Sequence, residues 1–301
     1  MILIGRFKMT LLVIDIGGTS VKYGIWDDEE LGNKGSFKTP ETWDDMRAEF
    51  LALKNCLGEG TKICGVAISS PGAVNQSKGV IEGSSAVPYL HGFPIFAELT
   101  ELFQCPVSIE NDANCAALAE IWKGEAKGLK NVLLVVVGTG IGGAVITDGK
   151  VWHGKHLFGG EFGYMLLKED AIFSELGTAV NMARRVARRK NIPENELSGE
   201  AVFEMAEKGD LIAKEEVEAF YYYLALGIYN LQYSFDPEKI IIGGGVSSKK
   251  DLIPELNKRL ERIIKQVEIA PFIPEIALCK YKNDANLIGA VYNWHQSRTN
   301  E

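Results

Sequence analysis

The chain has 301 residues, 46% of them hydrophobic, so it can bury an ample core, and its length suggests two domains. A formal net charge of -8 argues against nucleic acid as the main partner, and no apolar segment is long enough to span a bilayer. Five cysteines, an odd number without C-x-x-C spacing, point to a reducing compartment and make the cytoplasm the expected location.

Residues 1–10 are interrupted by Arg6 and Lys8 and make a poor signal peptide; Met9, directly before the first apolar run, is a candidate start. The run from Leu11 to Ile16 reads as a strand, bends at Gly17-Gly18-Thr19 and continues into a second, alternating strand over 21–26. Helices are expected over 43–56 and 113–122, and strands over 63–69 and 107–110. At Val132 the opening pattern returns: an apolar strand to Val137, a bend at Gly138-Thr139-Gly140-Ile141-Gly142-Gly143, and a strand closing at the Asp148-Gly149 turn. Helical patterns then occupy 178–190, 200–208, 211–235 and 252–267, with strands at 239–242 and 274–281 and a last helix from Ala285 to Trp294. The alternation favours an α/β class, and the repeat sets a domain boundary near Gly124, giving domains over 1–124 and 125–284.

Glycines at both bends let backbone amides approach an anion closely, and Thr19 and Thr139 add hydroxyl donors. Two such loops can hold one polyphosphate. Gly138, Gly140 and Gly143 also match the spacing of a dinucleotide fingerprint, but that motif must open a helix, and a β-branched hairpin follows here.

The segment Glu110-Asn111-Asp112-Ala113-Asn114 joins a strand to a helix and puts Asp112 at the helix N-cap. Asp112 can serve as a plain cap. The positive end of a helix also keeps a carboxylate ionised, and an ionised carboxylate there can accept a proton from a substrate hydroxyl. Glu161, a lone acid among glycines and aromatics, is either a loop residue or a second site acid. The basic run Arg184, Arg185, Arg188, Arg189, Lys190 reads as a solvated face or an anion handle, and Phe220 to Tyr223 as core or a subunit contact. The four histidines show no metal-ligand spacing.

Together the motifs resemble the ROK sugar kinases. The resemblance rests on Asp15-Ile16-Gly17-Gly18-Thr19 with Lys22 and Gly24, Ser70-Pro71-Gly72, the Glu110 to Asn114 segment, the Gly138 to Gly143 bend, Gly160-Glu161-Phe162-Gly163, and Ile241-Ile242-Gly243-Gly244-Gly245-Val246. It implies a two-domain actin/Hsp70/hexokinase-like (ribonuclease H-like) fold with an interdomain ATP and sugar cleft, in which the final helix, 285–301, completes the N-terminal domain. By the same resemblance Asp15, Gly17, Gly18, Thr19, Lys22, Thr139, Gly140 and Gly142 surround the phosphates of ATP, and Asp15 lies by the Mg2+. Gly244 and Gly245 lie near the adenosine, Gly72, Asn111 and Glu161 hold the sugar, and Asp112 is the general base. Phosphoryl transfer needs these parts: positioned phosphates, a metal that spreads their charge, and a base.

The departures from that family are informative. Where the family has a histidine and a cysteine-rich zinc segment ending in a sugar-binding acid, this chain has Tyr164, no cysteine between Cys115 and Cys279, and Ser174 aligned with the acid, Glu175 beside it. Ala86 stands in place of a sugar-contacting asparagine. No zinc site is expected, and the sequence is most similar to the zinc-free β-glucoside kinases of the family. The implied activity is ATP-dependent phosphorylation of the 6-hydroxyl of a β-glucoside such as cellobiose, with Tyr164 offering an aromatic face to the aglycone or merely filling vacated volume. The alternatives are a glucokinase, fructokinase or N-acetylmannosamine kinase, or a non-catalytic sugar sensor. A DNA-binding regulator is not expected, because residues 1–10 are too few for a helix-turn-helix. A homodimer is expected, with no membrane partner.

Overall fold

A computed structural model of the chain describes residues 10–56, 63–268 and 272–299; the candidate start at Met9 lies outside them. The chain divides into two units. The first takes the described residues as far as Trp122, with Gly154–Phe158 and those from Asn283 onward, and the second takes Lys123–His153 and Gly159–Lys282.

The first unit opens with β1 (Leu11–Ile16), β2 (Ser20–Asp27), β3 (Glu30–Lys38) and α1 (Trp43–Cys56). It continues through β4 (Gly65–Ser70), the small hairpin β5 (Ala73–Asn75) and β6 (Val80–Glu82), α2 (Ile95–Phe103), β7 (Val107–Asn111) and α3 (Asp112–Lys123). Its main sheet has the order β3-β2-β1-β4-β7, antiparallel on the β2 side of β1 and parallel on the β4 side. Every residue of β1 is buried because the sheet is covered on both faces. Leu12 and Ile14 pack with Met46 and Phe50 of α1 and Leu99 and Phe103 of α2. Leu11 and Val13 point the other way.

The second unit begins with β8 (Val132–Val137), β9 (Ile141–Thr147) and β10 (Lys150–Val151), followed by the short pair β11 (Leu166–Lys168) and β12 (Ala171–Ile172). Then come α4 (Phe173–Leu176), α5 (Ala179–Lys190), α6 (Gly199–Glu207), α7 (Leu211–Phe235), β13 (Lys239–Gly243), α8 (Leu252–Val267) and β14 (Ile276–Leu278). Its sheet, β10-β9-β8-β13-β14, repeats the first unit's order and sense, antiparallel on one side of the lead strand and parallel on the other. The repeat read in the sequence is therefore a repeat of topology. The two bends differ by one residue, since Ile16 pairs with Val21 whereas Val137 pairs with Ile141. Asp148 and Gly149, both at positive φ, make the β9–β10 turn with the hand that tight hairpins favour.

Helix ends follow their capping chemistry. Thr178, Ser198 and Asp210 accept from backbone amides at the starts of α5, α6 and α7, and Asn191 and Asp236 end α5 and α7 in the left-handed conformation. The last helix, α9 (Ala285–Thr299), belongs to the first unit, where Leu287, Ala290, Val291 and Trp294 cover Leu11, Val13 and Ala67. Glycine makes this contact possible twice. A Cβ at Gly65 would lie 2.0 Å from the Trp294 ring, and one at Gly289 would lie 1.7 Å from the carbonyl oxygen of Cys115 in α3.

One sequence expectation of the fold needs correction. The strand expected over 274–281 shrinks to the three residues of β14, since this edge strand pairs on one side only. The basic run on α5 is mostly paired. Arg185 and Arg189 bond Glu216 of α7 at 2.6 and 3.1 Å, Arg188 bonds Glu194 at 2.7 Å, and Lys190 bonds Asp210 at 2.5 Å, which favours a structural role over an anion handle. Phe220 and Tyr221 are core, whereas Tyr222 and Tyr223 are partly exposed. No helix of the described residues is long and apolar enough to cross a membrane.

Candidate active site

The first bend, Gly17 to Ser20, is shaped by its own backbone and by the end of β3. The Gly17 amide donates to the Ser20 carbonyl at 3.1 Å. Thr39 holds the bend from outside, its hydroxyl donating to the Gly17 carbonyl at 2.6 Å and its amide to the Thr19 carbonyl at 3.1 Å. A Cβ at Gly18 would stand 2.7 Å from that of Ala86, so the glycine is what lets these backbones approach. Just before the bend, the buried Asp15 carboxylate accepts from the Ser69 hydroxyl at 2.8 Å and from the Asn286 amide of α9 at 3.0 Å, both at Oδ1. Lys22 faces Asp15 across the β1–β2 register.

The strand β7 runs into α3 with no intervening loop, and this corrects the expected cap. Asn111, the last strand residue, caps the helix: its Oδ1 accepts from the amides of Ala113 at 3.0 Å and Asn114 at 3.2 Å. Asp112 is the first helical residue, and its own Oδ1 accepts from the Ala113 amide at 2.8 Å. The carboxylate thus sits at the positive end of α3 without being needed as its cap. Below it lies Glu110, 1% exposed, which accepts from the Asn111 amide at 2.7 Å, Asn114 Nδ2 at 3.0 Å and Gln76 Nε2 at 3.3 Å. Burial first, and then the charges of Glu110, Asp15 and Asp112, push the Cys115 thiol well above its usual range. Cys115 packs in one cluster with Leu11 and Val13, which places β1 beside α3.

Asn111 Nδ2 also donates to the Gly72 carbonyl at 3.1 Å. Gly72 has φ +99°, and a Cβ there would lie 2.7 Å from both His91 and Ile81. His91, which the sequence left without a role, ties this corner together. Its Nδ1 lies 3.2 Å from the Glu82 carbonyl, which can only accept, so Nδ1 carries the proton and Nε2 accepts from the Ser85 hydroxyl at 2.8 Å.

In the second unit the bend Gly138-Thr139-Gly140 is closed by the Gly138 amide on the Gly140 carbonyl at 2.9 Å, and the chain leaves it as strand β9, not as the helix a dinucleotide fingerprint requires. Gly244, φ +84°, lies against the end of β8: a Cβ there would be 2.3 Å from the Val137 carbonyl oxygen. At Gly142 and Gly245 a Cβ would meet nothing within 4 Å. Bare backbone beside open space is the kind of surface an anion can approach closely.

The Glu161 loop presses onto β9. Cβ atoms at Gly160 and Gly163 would lie 2.4 Å from the Gly143 and 2.1 Å from the Ile141 carbonyl oxygens, while Phe162 is buried and meets Phe235 at 6.1 Å. Glu161 is left reaching solvent, yet its non-polar surroundings raise the carboxyl above the ordinary glutamate value. Tyr164 ends the same turn and is 66% exposed. Among the described residues no group of three or more His, Cys, Asp or Glu is arranged to hold a metal ion.

The structure thus brings Asp15, Gly17, Gly18, Thr19, Lys22, Gly72, Asn111 and Asp112 into the first unit, and Thr139, Gly140, Gly142, Glu161, Tyr164, Gly244 and Gly245 into the second. Asn286, Thr39, Glu110 and His91 were missed as supports. Only Glu110 had a signal, lying in the Glu110 to Asn114 motif already noted.

The beta-glucoside kinase of Listeria monocytogenes is 34% identical over 297 residues, covering 96% of this chain and 98% of the relative. The beta-glucoside kinase of Klebsiella pneumoniae is 32% identical, covering 96% and 97%. The crystal structure of a ROK family protein from Streptococcus pneumoniae in complex with sucrose superposes with a TM-score of 0.88 at 38% identity, covering 97% of this chain and all of that one. Residues 11–297, nearly the whole chain, match the ROK family, and the chain belongs to that family.

Proposed function

We propose that the protein transfers the γ-phosphoryl group of ATP to the 6-hydroxyl of the non-reducing glucose of a β-glucoside such as cellobiose. The observation that carries this reading is the β7–α3 junction. It sets an acid, Asp112, at a helix start, on a backbone whose capping and anchoring fall to Asn111 and Glu110. Asp112 is then the base that accepts the proton of the attacking hydroxyl. Gly72, Asn111 and Glu161 hold the sugar, with Asn111 fixed by its bond to the Gly72 carbonyl. When bound, ATP supplies the phosphoryl group and magnesium spreads its negative charge. Asp15, Gly17, Gly18, Thr19, Lys22, Thr139, Gly140 and Gly142 are the residues that would hold the phosphates and metal, and Gly244 and Gly245 those near the adenosine.

The β-glucoside assignment is supported by the beta-glucoside kinases among the relatives. It is supported too by the exposed ring of Tyr164, since flat apolar faces suit sugar rings and aryl aglycones alike. The protein acts in the cytoplasm as a homodimer, and light scattering should give about twice the 33.1 kDa chain mass. Comparison of kcat/KM for cellobiose, gentiobiose and salicin with those for glucose, fructose and N-acetylmannosamine tests the substrate, because that ratio measures discrimination between competitors. A preference for a free monosaccharide would leave a kinase but remove the β-glucoside.

A further inference from the structure

The geometry points to Ser174 as a positioning residue that fixes the second glycine bend in the shape that receives the nucleotide phosphates. This rests on the reading of that bend as a phosphate loop. Ser174 lies in α4, and its hydroxyl oxygen accepts from the Ile141 amide at 2.9 Å, at the residue where the chain leaves the bend and enters β9. A Cβ at Gly140 would be 3.5 Å from the same oxygen, and one at Gly163 would be 2.3 Å from it. One hydroxyl therefore touches both the bend and the loop that carries Glu161.

A strut works only if its own end is fixed. Phe173, next in the chain, is fully buried, and its ring lies where Cβ atoms at Gly177 and Gly227 would stand, 2.7 and 2.2 Å away, so α4 is wedged against α7. The Ser174 carbonyl accepts from Thr178 Oγ1 at 3.1 Å and Asn181 Nδ2 at 2.9 Å, and the Glu175 carbonyl accepts from Arg185 Nη1 at 2.7 Å. Arg185 is in turn held by Glu216 at 2.6 Å. Residues of α5 and α7 thus set Ser174, and Ser174 sets the bend. Ile141 is buried, so without the hydroxyl its amide is left without that acceptor, and the backbone must shift to find another.

Two variants, Ser174→Ala and Ser174→Thr, test this through two readouts that precede turnover. The first is hydrogen exchange over residues 138–146 of the nucleotide-free protein, and the second is the affinity for the magnesium complex of AMPPNP. In the alanine variant exchange there should accelerate and AMPPNP affinity should fall about tenfold, the scale of one lost buried hydrogen bond. The threonine variant, which keeps the hydroxyl, should stay near the parent in both. In turnover the KM for ATP should rise while that for the sugar moves by less than about twofold. Unchanged exchange and affinity in Ser174→Ala would overturn the proposal. So would an equal rise of both KM values with a lowered unfolding temperature, which would mark Ser174 as general structure, or a parent protein that does not bind AMPPNP. If the parent binds AMPPNP but phosphorylates no sugar, the kinase reading fails, while exchange and binding still decide the role of Ser174.

Discussion

Gly289→Ala measures how closely the last helix must sit for Asp15 to keep its partner. The added methyl would begin 1.7 Å from the Cys115 carbonyl oxygen, 2.3 Å from its carbon and 2.7 Å from its Cα. These are backbone atoms of α3 and cannot rotate aside, so α9 must retreat by roughly 2 Å to reach an ordinary van der Waals separation. Forced overpacking of this kind costs about 3 kcal/mol, near the top of the usual range, and alanine's better helix propensity offsets about 1 kcal/mol of it. The net loss of about 2 kcal/mol should lower the unfolding temperature by roughly 4–8 °C for a unit of this size. The same retreat carries Asn286 out of reach of Asp15, now 3.0 Å away, so nucleotide affinity should fall as well. Thermal unfolding and AMPPNP titration are the assays. A variant as stable as the parent, or more stable, would show that α9 is not seated against α3 as described.

Asp112→Asn should fold normally and lose kcat by roughly a hundred- to ten-thousand-fold, with sugar affinity changed far less; near-normal kcat would reduce Asp112 to a helix-start residue. Glu161 makes a pH prediction. Lost hydration holds its carboxyl above the ordinary glutamate value, so the native state favours the neutral form, and stability is lost as pH rises through the raised value. Glu161→Gln should therefore be no less stable than the parent at pH 7, with the difference shrinking below the ordinary glutamate range, while sugar binding weakens. Elemental analysis should find no stoichiometric zinc, and activity should depend on added magnesium; one zinc per chain would mean that the ligands have been misread.

Elements with strong local signals were legible. The bounds of α7 and α8 match the sequence pattern, and α7 lies between a capping Asp210 and a left-handed Asp236. The strand β3 was not legible. Its sequence ELGNKGSFK is largely exposed and carries two glycines, so what makes it a strand is pairing with β2 and not its own pattern. The helix α2 was missed as well, although Ile95, Leu99 and Phe103 repeat along one face. At the site, the motifs showed where Asp15, Asn111 and Glu161 stand, but not what holds them. Asn286 meets Asp15 across 271 residues of chain, and Thr39 reaches Gly17 across 22. Asn111 took the cap expected of Asp112 because the strand runs straight into the helix, which moves the cap back by one residue.

The place of α9 has a consequence for synthesis. The face of β1 and β4 that carries Leu11, Val13 and Ala67 is covered by residues near position 290, so the unit translated first lacks its cover until translation is nearly over. The second unit draws its buried core from residues between Leu133 and Ile263, interrupted only by Gly154–Phe158, and has no such wait. Folding on the ribosome should thus run against sequence order, with the later unit consolidating while the earlier one exposes an apolar sheet face. Nascent chains stalled before residue 285 should bind a holdase chaperone through that face and release it once α9 has emerged.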